Sequence, residues 1–189
     1  MITRPIDLQE YKEIMKLITD GFTYQEDGKT KNFRPNQKLF LALILQANLG
    51  LRIGDVLSLK VSNFRNGKLI LEEEKTSKIQ NRKVNPQIIE LIKDYAIENS
   101  IKSNQKLFNR FGVRAVQKQL RIITDYLELS NISTHSFRKM YAILQYQNNN
   151  NNIELVKELL NHSSIATTQR YIRVHQEEID KASESICIM

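Results

Sequence analysis

The stretch from Pro35-Asn36 to about Leu51 constrains the fold most. It predicts a helix that is apolar on nearly every face, with Leu39, Phe40, Ala42, Leu43, Ile44 and Leu45 in close succession. A helix with no polar stripe has no side to give to water, so other elements must surround it. With 189 residues and 41% hydrophobic content the chain can build one sizeable core. A single compact domain over residues 1–189 is therefore expected.

The surrounding elements are mostly helical by their periodicity. Asp7 and Glu10 make a capping box ahead of Tyr11, Ile14, Met15 and Ile18, an amphipathic helix. Residues 23–36 read as polar and irregular, and a short helix follows Gly54. The period then changes. Lys68–Glu72 and Arg82–Asn85 read as two short strands, joined by a charged hairpin loop over residues 73–81. Asn85-Pro86 supplies an N-cap and a first helical position for Ile88, Ile89, Ile92 and Tyr95. Further helices are expected at 112–128, 135–147, 153–161, 164–173 and near 176–186, the last with Ile179, Ala182 and Ile186 on one stripe. The asparagine run Asn148–Asn152 reads as a loop tip. The fold class is thus mainly α with a small antiparallel β-hairpin, an α+β arrangement. Tyr95, Tyr126, Tyr141 and Tyr146 fit core or interface positions at helical spacing, and His175 a surface turn.

Charge points to a partner. The net charge is 28 − 21 = +7, which suits a polyanion. It is regional: residues 60–121 hold fourteen Lys/Arg against six Asp/Glu, while the flanking segments are near balance. Lys78, Arg82, Lys83, Lys118 and Arg121 are candidate phosphate contacts, although each could equally be a solvated charge. The single cysteine, Cys187, allows no disulfide framework, which suits a reducing cytoplasm. No apolar run approaches a membrane span, and the first twenty residues are too charged for a signal peptide. No His/Cys cluster has zinc-site spacing, so no metal and no cofactor is expected.

A set of scattered residues carries chemistry. Tyr171 lies nine residues after His162, behind His135 and Arg138 in Thr-His-Ser-Phe-Arg, and behind Arg52 in Leu-Arg-Ile-Gly-Asp. Phosphoryl transfer without metal needs another way to neutralise the non-bridging oxygens. Arginine suits this, because its planar fork binds two oxygens and stays protonated. Arg52 falls where the apolar helix ends. Arg138 falls in the first turn of a helix, whose N-terminus adds partial positive charge. His135 and Arg138, spaced i, i+3, share a face.

In order and spacing these residues resemble the catalytic domain of the tyrosine recombinases, the phage-integrase family, over essentially the whole chain. The resemblance rests on Arg52 with Asp55 three positions later, Lys75 in Glu-Lys-Thr-Ser-Lys, His135-x-x-Arg138, and Leu160-x-His162-Ser-Ser-x-x-x-Thr-x-x-Tyr171. Two departures stand out. Asn161 occupies a position that is usually glycine, although both residues tolerate left-handed backbone. Lys139-Met140-Tyr141 replaces a common His-Thr-Phe type sequence.

The resemblance implies the tyrosine recombinase catalytic-domain fold and a set of roles. Tyr171 would attack the scissile phosphate and form a 3′-phosphotyrosyl link. Arg52 and Arg138 would clamp the phosphate, and Lys75 would protonate the leaving 5′-oxygen, with Lys78 in the same loop as an alternative. His135 would assist proton transfer, and His162 would hydrogen-bond the phosphate. Asp55 would support the site by orienting His135 or Arg52. The expected partner is double-stranded DNA, bound by a monomer that assembles into a tetrameric synapse, with accessory DNA-bending or directionality factors. The helix near 176–186 could be exchanged between protomers, and the separate DNA-clamping domain usual in the family is not part of this chain. Two other readings share the residues: a catalytically silent DNA-binding relative, and a type IB topoisomerase-like relaxing enzyme.

Overall fold

The computed structural model describes residues 3–172 and 183–185. The expected helix near 176–186, its stripe, His175 and Cys187 lie wholly or largely outside the described residues. The chain divides into two compact units, Met1–Tyr141 and Ala142–Met189.

In the first unit, α1 (Leu8–Asp20) begins at the expected capping box. Asp7 accepts from the Glu10 N–H, and the Glu10 side chain accepts from the Asp7 N–H. Its buried residues Ile14, Met15 and Ile18 pack on α2 (Gln37–Leu49). The Asn36 side chain caps α2. Leu39, Leu41, Ala42, Leu43, Leu45, Ala47 and Leu49 of α2 are all buried, as a helix with no polar stripe requires. Gly50 ends α2 at φ +59°, the left-handed turn that favours glycine. A Cβ there would sit 2.3 Å from the Tyr141 ring, so the close packing of Tyr141 also demands glycine. The chain then turns at Leu51 and Arg52 into the short α3 (Ile53–Ser58).

Most of residues 23–36, expected to be irregular, joins a hairpin over residues 22–33. β1 (Phe22–Glu26) pairs antiparallel with β2 (Lys29–Phe33). Asp27 and Gly28 have φ of +52° and +70°, the two-residue turn that an Asp-Gly pair favours. Its strands are polar and largely exposed, so the alternation that usually marks a strand is weak. The apolar anchor is at the open end, where Phe22 stacks on Phe33 with centroids 5.1 Å apart.

The second sheet has the order β3-β4-β5, with β3 (Phe64–Arg65), β4 (Lys68–Glu72) and β5 (Ile79–Lys83) all antiparallel. β5 starts three residues earlier than its expected span, which shortens the connecting loop to residues 73–78. One face of this sheet is buried and carries Leu69, Leu71 and Gln80. The other exposes Ile70 and Ile79.

α4 (Pro86–Glu98) opens on the Asn85 cap and Pro86. α5 (Val113–Tyr126) buries Val116, Leu120 and Ile123. α6 (Thr134–Asn148) carries the unit boundary. In the second unit, α7 (Ile153–Leu159) follows a turn in which Asn150 and Asn151 are left-handed and Asn152 caps the helix. The asparagine run is thus both turn and cap, two roles that favour its short polar side chain. α8 (Ile165–Gln169) is shorter than expected, and Arg170–Ile172 form a turn and bend beyond it. The architecture is mainly helical with small antiparallel sheets. Among the described residues no helix is long and apolar enough to cross a membrane.

Candidate active site

The first unit assembles Arg52, Asp55, the β4–β5 turn, His135 and Arg138. Arg52 is the N-cap residue of α3, placed there by the Gly50 turn that ends the core helix. Its side chain keeps 24% of its surface open, and its Nη1 lies 2.6 Å from Glu73 Oε2. Asp55 Oδ2 lies further from Arg52, at 3.9 Å. The stronger tie of Asp55 is to the hairpin: its Oδ1 accepts from the Glu74 N–H at 3.0 Å. Asp55 therefore orients the turn backbone first and Arg52 second.

Glu73 was not singled out by sequence, where it falls in a charged loop. It is fully buried. Its carboxylate accepts from Thr76 Oγ1 at 2.7 Å and from Gln80 Nε2 at 2.9 Å as well as from Arg52. A signal for it did exist. Leu69, Leu71 and Glu73 alternate, so the buried face of β4 continues past the end of the strand. Burial works to raise the Glu73 pKa, but the hydrogen bonds from Gln80, Thr76 and Arg52 outweigh it and hold the carboxyl below its ordinary value. Asp55 goes the other way. Burial pushes its carboxyl up, and the nearby Glu73 charge adds to that.

Lys75 sits at the exposed tip of the same turn, and Lys78 lies half-buried at its far side. Arg82, one of the candidate phosphate contacts, is turned inward. It donates to the Tyr141 hydroxyl at 2.7 Å and to the Leu49 carbonyl, with its guanidinium 5.8 Å from the Tyr141 ring centroid. Lys83 and Lys118 are exposed. Arg121 is exposed too, with Asp125 at 3.3 Å.

His135 and Arg138 begin α6. Ser133 caps this helix: its hydroxyl accepts from the His135 N–H, and its own N–H donates to the Ser136 hydroxyl. The helix starts at Thr134, which puts Arg138 in the second turn rather than the first. Arg138 is fully buried and donates to the Gly50 carbonyl. Burial, then the charges of Arg138, Lys139, Arg52 and Lys75, lower the His135 pKa from 6.5 to about 4. Its imidazole is therefore neutral at pH 7 and able to accept a proton. Lys139 donates to the Thr3 carbonyl.

The second unit holds His162 and Tyr171. Asn161 ends α7 at φ +56°. Its N–H donates to Glu158 O and the next N–H, from His162, to Lys157 O. This is a helix-ending motif that needs a left-handed residue where Asn161 stands. The motif sends His162 inward, where it is 6% exposed and its Nδ1 lies 3.0 Å from Oγ1 of the fully buried Thr168. Thr168 thus orients the imidazole. Tyr171 lies just past α8, its N–H on Thr168 O at 2.9 Å. Its ring meets that of His162 edge-on, 5.2 Å between centroids and 80° between planes.

The described residues thus supply a phenol, two imidazoles, two arginines and an exposed lysine. Comparison with known proteins gives these groups a context. The family described as "Phage integrase family" matches residues 6–178. A probable integrase/recombinase of Acholeplasma phage L2 is 28% identical over 93% of this chain, and the match spans 60% of that protein. The probable integrase/recombinase YoeC of Bacillus subtilis is 32% identical over 75% of this chain and 81% of its own length. The fold matches that of the XerH site-specific recombinase, solved as a post-cleavage complex with a palindromic difH substrate. The TM-score is 0.71 at 21% identity, over 97% of this chain and 53% of that one. The chain belongs to the phage integrase family.

Proposed function

We propose that the chain is a tyrosine-type site-specific recombinase that cleaves and rejoins duplex DNA through a 3′-phosphotyrosyl intermediate. One observation supports this most. In the first unit Arg138, buried and donating to the Gly50 carbonyl, shares the start of α6 with His135, and Arg52, two residues after Gly50, is held by Glu73 at the base of the turn that carries Lys75. So many cations around a neutral proton acceptor suit a phosphodiester undergoing proton transfer.

In this reading Tyr171 Oη attacks phosphorus and forms the P–Oη bond. Arg52 and Arg138 take up the charge on the non-bridging oxygens. The P–O5′ bond breaks, and Lys75 gives its proton to the leaving 5′-oxygen. His135 assists proton transfer by taking up the phenol proton as Oη attacks, and His162, held by Thr168, hydrogen-bonds the phosphate. Bond energy is kept in the covalent link, so the released 5′-hydroxyl of a partner strand can attack it and reseal the DNA. Exchange between two duplexes cuts four strands, one nucleophile each, so the working assembly is a tetramer on DNA. The setting is the cytoplasm, with accessory DNA-bending or directionality factors.

The test uses nicked suicide duplexes drawn from the DNA flanking the gene. These lose a short 5′-hydroxyl fragment and trap the covalent complex. Wild type is expected to form an adduct stable to denaturation, and Tyr171→Phe to form none. Absence of an adduct with wild type would leave the silent DNA-binding reading in place. Relaxation of supercoils without recombinant products would favour the topoisomerase-like reading.

A further inference from the structure

The leaving-group proton poses a positioning problem. Lys75 is exposed at the tip of a turn, and a free lysine side chain loses about 1.5–2 kcal/mol of rotamer freedom when held in one place. Proton delivery nevertheless needs its ammonium within about 3 Å of the 5′-oxygen. A mobile turn would waste that chemistry. Lys75 is instead bracketed. On one side the Glu74 N–H is held by Asp55 Oδ1 at 3.0 Å. On the other the Thr76 hydroxyl is held by Glu73 Oε2 at 2.7 Å. That same Oε2 accepts from Arg52 Nη1 at 2.6 Å, and the other oxygen accepts from Gln80 at 2.9 Å. Glu73 therefore joins the base of the turn, strand β5 and the arginine at the start of α3.

We propose that Glu73 is a positioning residue that locks the turn carrying Lys75 to Arg52, so that the proton donor and the phosphate clamp are set at a fixed separation. This rests on the recombinase reading above. A carboxylate suits the task because it accepts several hydrogen bonds at once and pairs with a guanidinium. Its full burial keeps water from competing for those donors.

The test compares wild type, Glu73→Ala, Glu73→Gln, Lys75→Ala and the Glu73→Ala/Lys75→Ala pair. Each is assayed on a nicked duplex at which wild type forms its Tyr171 adduct. The duplex is made with either oxygen or sulfur bridging phosphorus and the 5′-carbon. Sulfur departs as a thiolate and needs no proton, so it bypasses Lys75. With oxygen, Glu73→Ala is expected to slow adduct formation about 100-fold, within the range of general acid catalysis. With sulfur it should come within about 10-fold of wild type, because proton delivery is bypassed and only the loosened hold on Arg52 remains. Glu73→Gln keeps acceptors for Thr76 and Gln80 and should recover much of the oxygen rate. The double variant should be no slower than Lys75→Ala alone.

Equal slowing of Glu73→Ala on both substrates would overturn the proposal, because it would mean that Glu73 serves Arg52 or folding alone. Multiplicative effects in the double variant, or no slowing, would overturn it as well. If wild type forms no adduct on any duplex, the recombinase reading fails and this proposal with it. If wild type reacts and the variants follow the wrong pattern, this proposal alone fails.

Discussion

Gly50→Ala is the perturbation whose outcome the structure dictates most directly. Two costs add. The residue sits at φ +59°, where a non-glycine residue loses roughly 1 kcal/mol. The new methyl would also lie 2.3 Å from Tyr141 Cδ1 and 2.5 Å from Cε1, against an ordinary carbon–carbon contact of about 3.5–4 Å. The ring has to move by more than an ångström, and overpacking of that kind costs about 1–3 kcal/mol. The sum, about 2–4 kcal/mol, corresponds to a fall in Tm of roughly 4–16 °C for a chain of this size. Gly67→Ala is the matched control. Gly67 has φ +71°, but a Cβ there meets nothing within 4 Å. It should lose only the backbone part, about 1 kcal/mol. Thermal unfolding by circular dichroism measures both, and the Gly50→Ala/Tyr141→Ala pair tests the cause. With the ring removed, the added cost of the methyl should shrink to that of Gly67→Ala. Equal Tm losses for Gly50→Ala and Gly67→Ala would refute the packing argument. So would strict additivity in the pair.

Further outcomes concern the site and the exposed cations. The His135 resonances should titrate near pH 4 in the free chain, and rise toward 6.5 when duplex DNA brings a phosphate among the cations; an unchanged titration would separate His135 from the phosphate. Because the folded pKa lies below the unfolded one, the stability that His135 contributes is full above pH 6.5 and declines as pH falls toward 4. His135→Gln should flatten that part of a stability–pH profile. Thr168→Val, which removes the hydroxyl 3.0 Å from His162 Nδ1, should lower stability by about 1–3 kcal/mol and slow adduct formation; an unchanged rate would show that His162 needs no orienting partner. Lys83→Ala and Lys118→Ala should each reduce the slope of log affinity against log salt by about 1. Arg121→Ala should do less, given its Asp125 partner, and Arg82→Ala should act on Tm instead.

How much the sequence revealed depended on whether a feature was local. The Asp7–Glu10 box, the Asn85-Pro86 start and the all-apolar α2 are each complete within a few turns of chain, and each stands where its pattern predicts. The β1–β2 hairpin escaped notice because its strands are polar. Its best signal, the Asp27-Gly28 turn, lies between residues that bury little. The candidate site divides the same way. Nothing in spacing brings Arg52 and His135 together, and the resemblance alone paired them. Glu73 and Arg82 needed the register of β4 and β5. Leu71 opposite Gln80 and Leu69 opposite Arg82 define one inward face, and Glu73 extends it. A charged residue on that face stays hidden among other loop charges until the strand ends are known.

One set of contacts has a consequence for how the chain is made. The Arg4 N–H reaches Asn131 O, the Arg4 guanidinium reaches Ser130 O, and Lys139 donates to Thr3 O. Tyr11 meets Phe137, which is fully buried, edge-on at 6.1 Å. The opening residues of this unit are thus fastened by nearly its last. During translation, at about 5–20 residues per second, α1 and the core helix emerge early and wait with an apolar side uncovered. Only when the start of α6 clears the ribosome can the unit close, and only then do Arg52 and Arg138 take up places around the same turn. Folding and completion of the cationic site are therefore one late event, so a ribosome stalled before Phe137 would carry a chain with neither.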